Sequence, residues 1–296
     1  MRIGEKIKHL RTAKMMTQSE LAGDSITRNM LSRIENGSAL PSLPTLVYLA
    51  ERLKVPAGYL IANEESEAIY RKINNIENIK RAYASGEYRM CRSLCLGGLD
   101  TSDDEIAMIL AGCSVNIAKS LFAEGRIRSA AGYFDEAARY CAMTAYYTDN
   151  IIAEINVYYR YINTKISHSV YSEESIPETN DGLSFSDPFC RYIVACEDIG
   201  GSPITRIPSF DEESSHLGTV LEAKRLIASG DYAGAAALLQ EVLRSECVID
   251  TPLLYDMLCD LEVCCKEISD YKNAYEYSSS KMSVIERMLS DDGYVD

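Results

Sequence analysis

The chain has 296 residues, which allows one large domain or two to three domains of ordinary size. Hydrophobic residues make up 47% of it, enough for a packed core, so the composition excludes intrinsic disorder. Charged side chains stand at the N-terminus where a signal peptide needs an apolar stretch, and no apolar run long enough to span a membrane is evident. We therefore expect a cytoplasmic protein with no membrane partner, whose ten cysteines are reduced and mostly buried thiols.

The net charge of −14 is divided unevenly along the chain. Residues 1–61 contain nine basic and five acidic side chains, a net charge of +4, so the remainder carries −18. This division is typical of a module that binds a polyanion, attached to a body that avoids polyanions. An excess of this size in sixty residues also arises by chance, so the charge needs support from the detailed pattern.

The first sixty residues have the pattern of five short helices. Ile3, Ile7 and Leu10 share one helical face, Thr17 and Glu20 form a capping box for a second helix, and Thr27 can cap a third. Gly37 is suited to the left-handed position that ends the third helix. The remaining signals are Ser42 as the cap of a fourth helix, Leu46, Leu49, Ala50 and Leu53 on its inner face, and a short fifth helix near residues 55–60. Two short helices joined by a tight turn in such a unit form the helix-turn-helix plan.

The third helix carries a polar face that suits the edges of DNA bases. Arg28, Asn29, Ser32 and Arg33 lie on this face; arginine matches the acceptors of guanine and asparagine matches adenine. Backbone amides at Thr17–Gln18 and at Thr27 can meet phosphates. The alternative is an ordinary solvated face.

The same residues carry a family resemblance. The segments Thr17-Gln18-x-x-Leu21-Ala22, Ser32-Arg33-Ile34-Glu35-Asn36-Gly37 and Pro41-Ser42-x-Pro44-Thr45-Leu46 resemble the XRE (lambda-repressor-like) helix-turn-helix family. The resemblance covers residues 1–61 and implies a DNA-binding domain. It implies DNA contacts for Gln18, Arg28, Asn29 and Arg33, with Thr27, Ser32 and Asn36 near phosphates or bases.

The rest of the chain is predicted to be all-α. Residues 57–176 contain no proline, which suits uninterrupted helices, and no strand-like alternation is evident. Four similar turn motifs begin at Gly86, Gly125, Gly230 and Ser269, each between two apolar-periodic helices, and the 105 residues between the second and third leave room for two or three further units. Residues 172–215 break the pattern with four prolines and are predicted to hold one helix near Phe189–Cys196, and the acidic end from Asp291 is predicted to fray.

These turns resemble degenerate tetratricopeptide (TPR) repeats, whose stacked helix pairs form a concave surface. An XRE head on such a body is similar to the Rgg/PlcR-type (RRNPP) regulators. We therefore expect an HTH domain at 1–61, a linker and the start of the first repeat helix at 62–75, and a ligand-binding and dimerisation domain at 76–296. The resemblance implies a dimeric transcription factor that binds an inverted-repeat operator in double-stranded DNA and a short signalling peptide, as in quorum sensing.

A peptide site needs side-chain amides for the peptide backbone and aromatic rings for its apolar groups. Asn116, Asn156, Tyr159 and Asn163 lie on predicted mid-body helices, and the last three share a face. Each of them is also explained by helix packing or by solvent exposure alone.

Motifs of enzymes and metal sites are absent from the sequence. No C-x-x-C pair, zinc-binding histidine pair, phosphate-binding loop or nucleophile elbow occurs, so we expect no enzyme, no metal site and no cofactor. Two other functions stay open: a scaffold that binds a partner protein, and a constitutive XRE regulator whose groove is a dimer interface.

Overall fold

A computed structural model describes residues 2–62, 64–166, 185–201 and 207–291. Within these ranges the regular elements are helices and no strand occurs, so the all-α prediction is confirmed. The chain divides into an N-terminal unit (Met1–Ala84 with Leu96–Asp100) and a C-terminal unit (Ser85–Cys95 with Thr101–Asp296).

Six helices lie in the N-terminal unit: α1 (Ile3–Ala13), α2 (Gln18–Ala22), α3 (Arg28–Glu35), α4 (Leu43–Leu53), α5 (Ala57–Ile61) and α6 (Glu64–Ala84). The first five enclose one apolar core that includes Ile7, Leu21, Leu31 and Leu49. The predicted caps are confirmed, because the hydroxyls of Thr17, Thr27 and Ser42 accept hydrogen bonds from backbone amides three residues later. Local sequence signals therefore set where these helices begin.

Two contacts join the first helix to the rest of this core. The Lys6 ammonium is buried and donates to the carbonyl oxygens of Tyr59 (3.2 Å) and Ala62 (2.9 Å), which fixes the end of α5 against α1. Gly4 lies so close to α3 that a Cβ there would stand 2.0 Å from the Ile34 carbonyl oxygen. The absence of a side chain at residue 4 therefore lets α1 pack against the last turn of α3.

The C-terminal unit contains nine helices within the described residues, and Leu96 at the end of the first belongs to the other unit. They are α7 (Tyr88–Leu96), α8 (Asp104–Ala123), α9 (Ile127–Met143), α10 (Asp149–Tyr161), α11 (Pro188–Gly201), α12 (Ser215–Ser229), α13 (Tyr232–Arg244), α14 (Thr251–Glu267) and α15 (Tyr271–Leu289). A π-helical turn, Ile162–Ile166, extends α10. From α8 to α15 each helix packs against the next one, and α8 also contacts α14.

The four predicted turn motifs share one geometry. Gly86, Gly125, Gly230 and Ser269 all have a left-handed backbone, with φ of +73°, +84°, +85° and +62°, and each is followed two residues later by the start of a helix. This conformation ends one helix and redirects the chain into the next. Between the second and third motifs the described residues hold one further helix pair, α10 and α11, and residues 167–184 and 202–206 of this stretch lie outside the described residues.

The centre of the C-terminal unit is filled by aromatic rings. Phe122, Phe134, Tyr158, Tyr161, Phe189 and Tyr192 are buried, and neighbouring rings lie 5.0–6.0 Å apart between centroids. Aromatic contacts of this kind add to the stabilisation from burial alone. The ten cysteines are free, and most are buried.

Two expectations for the C-terminal unit are corrected. Asp291 is not frayed: its carboxylate accepts hydrogen bonds from the Ser129 amide (2.7 Å) and hydroxyl (2.9 Å), because this amide lies in the first turn of α9 and has no acceptor within the helix. Helix α8 is long and apolar enough to cross a membrane, with a mean hydropathy of 1.7, but 67% of that stretch is buried inside the protein. A core helix passes the same test, so α8 is weak evidence for a membrane span.

The irregular segments are described only in part. The sequence predicts a helix near Phe189–Cys196, and α11 occupies this position. Residues 167–184 and 202–206 of the proline-containing region, and residues 292–296 of the acidic end, lie outside the described residues.

We predict that Gly4→Ala loosens the N-terminal unit, because the added methyl group would collide with the Ile34 carbonyl oxygen. Forcing one extra carbon into a packed contact costs about 1–3 kcal/mol. Hydrogen–deuterium exchange should show faster exchange in peptides from residues 2–62 and unchanged exchange in peptides from 104–166. Gly37→Asn is the control, since nothing lies within 4 Å of Gly37 and asparagine tolerates a left-handed backbone. Equal exchange in the native chain and Gly4→Ala would contradict the close contact.

Candidate functional site

Helix α3 is an eight-residue rod with well-defined ends. The Thr27 hydroxyl accepts a hydrogen bond from the Met30 amide (3.2 Å) at its start, and Gly37, with φ of +71°, turns the chain away just beyond its end. Leu31 and Ile34 face the apolar core. The orientation of the helix is thus set by its buried side, and the opposite side is left for solvent or a ligand.

The exposed side of α3 carries the side chains that the sequence predicts to touch DNA. Arg28, Asn29 and Arg33 are exposed and Ser32 is half-buried. At about 100° per residue these four positions fall within an arc of about 140°. The side chains at the two ends of the helix, Thr27 and Asn36, are also exposed. This arrangement presents hydrogen-bond donors and acceptors together on one narrow face.

A buried carboxylate holds this rod in place. Only 1% of the Glu35 side chain is exposed, and its oxygens accept hydrogen bonds from Arg11 Nε (2.7 Å), Arg11 Nη2 (3.1 Å) and Gln18 Nε2 (2.8 Å). Arg11 also donates to the Met16 carbonyl oxygen (2.8 Å). The hydrogen bond from Glu35 raises the pKa of the Arg11 guanidinium, although burial opposes the rise. Helices α1, α2 and α3 are therefore joined through one side chain.

The sequence analysis did not identify Arg11 and Glu35 as members of this network, and it assigned the third member, Gln18, to DNA. Arg11 stands four residues after the buried Ile7, and Glu35 stands four residues after the buried Leu31. A charged residue at a position where the helical period places an apolar one is the signal that could have identified Arg11 and Glu35 as partners. The sequence predicts that Gln18 touches DNA; the structure places its amide on Glu35, and its contact with DNA stays a prediction.

The N-terminal unit matches a known family. Residues 7–60 match the family model described as helix-turn-helix. The N-terminal unit contains a helix-turn-helix domain. In a helix-turn-helix motif the second helix is the one that enters the DNA groove, and α3 is the second helix of the motif in this chain. No curated protein matches the chain.

Several solved structures are similar to the whole chain at low identity. PlcR of Bacillus thuringiensis, crystallised with a peptide and DNA, is 14% identical, with 98% of this chain and 96% of that chain covered and a TM-score of 0.24. ComR of S. thermophilus, crystallised with DNA and its signalling peptide, is 15% identical over 97% and 94%, with a TM-score of 0.30. The pheromone receptor Rgg2 of Streptococcus dysgalactiae is 16% identical over 95% and 99%, with a TM-score of 0.20.

The four residues predicted to bind a peptide have different surroundings. Asn116 is half-buried, donates to the Gly112 carbonyl oxygen (2.8 Å) and lines a cavity of about 420 Å³ beside Tyr88 and Met90. Asn156 is only 8% exposed. The Tyr159 hydroxyl lies 3.2 Å from the Ala131 carbonyl oxygen and 2.5 Å from Asp135 Oδ1, so it fastens α10 to α9.

Asn163 differs from the other three candidates. It lies in the π-helical turn, and both polar atoms of its amide are buried without a hydrogen-bond partner among the residues that the structure describes. A buried unsatisfied amide is costly, and π-helical turns are frequent at functional sites. Of the four candidates, Asn163 is the one whose hydrogen-bonding capacity is left unused.

Charged groups on the same turn and on neighbouring helices form a buried network. Asp256 accepts from Lys224 (2.8 Å), Lys165 (3.1 Å) and the Tyr192 hydroxyl (2.9 Å), and Lys224 also contacts Asp260 (2.5 Å). Burial opposes the ionisation of Asp256, but Lys224 and Lys165 hold its pKa below the usual range. Burial likewise opposes the charge on Lys224, and the two aspartates raise its pKa. This network joins the turn that carries Asn163 to α11, α12 and α14.

The described ranges, 2–62, 64–166, 185–201 and 207–291, contain many Cys, Asp and Glu side chains. Across these ranges, no group of three or more His, Cys, Asp or Glu side chains is arranged to hold a metal ion. The helix-turn-helix family is one of transcription regulators rather than enzymes.

We predict that Glu35→Gln loosens the contact of α2 and α3 with α1, because a neutral amide cannot accept three charge-assisted or amide hydrogen bonds in the same geometry. The expected loss of stability is about 2 kcal/mol. Limited proteolysis with mapped cleavage sites should show faster cutting within residues 2–62. Glu51→Gln is the matched control, because Glu51 is exposed on α4 and loses the same charge. Equal cleavage rates in the two variants would show that the Glu35 carboxylate is not what holds these helices.

Proposed function

We propose that the chain is a cytoplasmic, sequence-specific transcription regulator that binds double-stranded DNA as a homodimer. The observation that carries this proposal is the exposed face of α3, where Arg28, Asn29 and Arg33 project from a rod fixed by Glu35. Arginine pairs with guanine O6 and N7 and asparagine pairs with adenine N6 and N7, so this face can read base edges in the major groove.

The homodimer follows from the size of the recognition element. One eight-residue helix contacts only a few base pairs, and helix-turn-helix proteins gain specificity by placing two such helices on half-sites about one helical turn apart. An inverted repeat reflects the two-fold symmetry of the dimer. The positive charge of residues 1–61 supplies attraction to phosphates that weakens with salt.

Single substitutions on α3 test this function. Each of Arg28→Ala and Arg33→Ala should weaken binding to the preferred DNA sequence by about 10- to 100-fold, since one base contact is worth about 1–3 kcal/mol. The sequence is first selected from random double-stranded oligonucleotides with the native full-length chain, and affinity is then measured by gel shift at fixed salt. Arg128→Ala, an exposed arginine on α9, is the control that removes the same charge.

Two outcomes would overturn this proposal. If the native chain enriches no DNA sequence, this result favours a scaffold that binds partner proteins through its helical hairpins. If a sequence is enriched and both α3 variants bind it as tightly as Arg128→Ala does, α3 is not the recognition helix.

We further propose that a short peptide bound by the C-terminal unit controls DNA binding. The supporting observation is Asn163, whose amide has a donor and an acceptor group with no partner in the described ranges, and the backbone of an extended peptide offers a matching acceptor and donor. Asn116, beside a cavity, and Asn156 and Tyr159 on α10 are the other proposed contacts. A peptide that favours one placement of the two DNA-binding domains would change which half-site spacing fits, which couples the two sites.

A synthetic hexapeptide library tests peptide binding without knowledge of the natural ligand. Peptides enriched on the immobilised native chain should bind Asn163→Ala about tenfold more weakly, because the variant loses two hydrogen bonds to the peptide. Asn150→Ala is the matched control, since Asn150 is an exposed asparagine on the same helix. Absence of saturable binding by any enriched peptide would favour a constitutive regulator.

A further inference from the structure

Helix α6 carries a stripe of apolar side chains on its surface. Ile69, Ile73 and Tyr83 are 60%, 55% and 37% exposed, and Ile76 is half-buried between them. At about 100° per residue these four positions fall within an arc of about 80°. Single exposed apolar side chains are common, but a contiguous apolar stripe marks a surface that binds another protein.

The spacing of the stripe is that of a coiled coil. Positions 69, 73, 76, 80 and 83 are separated by four, three, four and three residues, which is the pattern of the a and d positions of a heptad repeat. Ile73 and Lys80 then occupy a positions, and Ile69, Ile76 and Tyr83 occupy d positions. A stripe with this repeat stays in contact with a partner when two helices wind around each other. The pattern therefore favours a second helix as the partner.

Other sides of α6 make the contacts within the chain. Ile79 is fully buried and Ala82 is 7% exposed, and they lie about 80° and 140° from the centre of the stripe. The Tyr70 ring, about 100° away on the other side, meets Tyr59 of α5 edge-on with 6.0 Å between centroids. A Cβ on Gly58 would stand 2.0 Å from the Tyr70 hydroxyl oxygen. The start of α6 is thus fixed to the helix-turn-helix domain while the stripe stays exposed.

Charged residues on the two sides of the stripe favour a second copy of the same helix. Lys72 falls at a g position and Glu77 at an e position of the heptad. When two helices pair in parallel, each g residue faces the e residue that lies five positions later on the other helix. Lys72 of each copy then faces Glu77 of the other copy, and the two-fold symmetry forms this pair twice. An antiparallel pair brings g to g and e to e, which places like charges together.

We propose that α6 pairs in parallel with α6 of a second copy of the chain, with Ile69, Ile73, Ile76 and Tyr83 in the seam. The pairing specifies which surface makes the homodimer proposed above, and it rests on that proposal. Lys80 at an a position restricts the register and the number of helices at a cost in stability. A parallel pair holds both helix-turn-helix domains at the same end of the seam, as an inverted repeat requires.

Sedimentation equilibrium of the full-length chain without DNA tests this seam. The native chain should be in reversible equilibrium between monomer and dimer, and Ile73→Glu should raise the dimer dissociation constant by about 100-fold or more, because the seam would bury a carboxylate from each copy. Tyr275→Glu is the control, since Tyr275 is 77% exposed on α15 and undergoes a similar change. Both replaced side chains are exposed in the single chain, so thermal unfolding of the monomer should stay close to native for both variants.

Charge reversal tests the parallel orientation. Lys72→Glu and Glu77→Lys should each raise the dimer dissociation constant by about tenfold, because two attractive pairs become repulsive. The double variant with both substitutions restores opposite charges in a parallel pair, so its dissociation constant should return to within about threefold of the native value. In an antiparallel pair the double variant keeps the like charges of the native chain and gains nothing over the single variants.

Each contrary result identifies what is wrong. If Ile73→Glu dimerises as tightly as the native chain, the seam is not on α6, although the homodimer stands. If Tyr275→Glu alone dissociates the dimer, the interface lies on α15. If Ile73→Glu lowers the unfolding temperature of the monomer and leaves association unchanged, the stripe is covered by the chain itself. A double charge variant as weak as the single ones excludes the parallel orientation, and a native chain that is monomeric at every concentration contradicts the homodimer as well.

Discussion

One buried carboxylate determines how the exposed face of α3 is presented. Removing Glu35 from water costs several kcal/mol, and the hydrogen bonds from Arg11 and Gln18 offset this cost only when α1, α2 and α3 are in their observed places. An eight-residue helix is too short to be stable alone in water. The exposed side chains of α3 therefore depend on a contact made by the opposite, buried side of the same helix. On α3, the exposed residues that we propose to recognise bases and the buried residues that pack in the core are therefore neighbours with separate roles.

In the C-terminal unit, too, a buried carboxylate joins several helices. Asp256 is 3% exposed and receives hydrogen bonds from Lys165, Tyr192 and Lys224, which come from the turn after α10 and from α11 and α12. Helical hairpins with apolar faces can slide or rotate against one another at little cost, whereas a buried charge with three donors is satisfied in one register. Apolar burial supplies the stability of the unit, and we infer that the network selects one arrangement of its helices.

Local features of the fold were predictable, and distant pairings were not. The hydroxyl caps at Thr17, Thr27 and Ser42 and the left-handed turns at Gly86, Gly125, Gly230 and Ser269 follow from residues within four positions of one another, so a single sequence contains the whole signal. Arg11 and Glu35 are 24 positions apart, and Lys6 reaches Ala62 across 56; these contacts exist only once the helices have packed. The face predicted for Asn156, Tyr159 and Asn163 also shows that the sequence does not give the hydrogen-bond partner of each side chain. Periodicity placed them together, but the partners on α9 decide that the Tyr159 hydroxyl is used while the Asn163 amide is not.

The uneven division of charge along the chain can be compared with how the charged side chains are placed in each unit. On α3 the charged groups that remain available are the guanidinium groups of Arg28 and Arg33, which attract an anion. In the C-terminal unit, by contrast, two well-buried lysines are each paired with two carboxylates: Lys119 with Glu154 and Asp187, and Lys224 with Asp256 and Asp260. The net charge of −18 outside residues 1–61 adds a repulsive field toward nucleic acid, so DNA gains affinity only where the positive face meets it. An attraction that comes from charge fades as salt is raised, whereas the apolar packing that orients α3 does not depend on salt in this way.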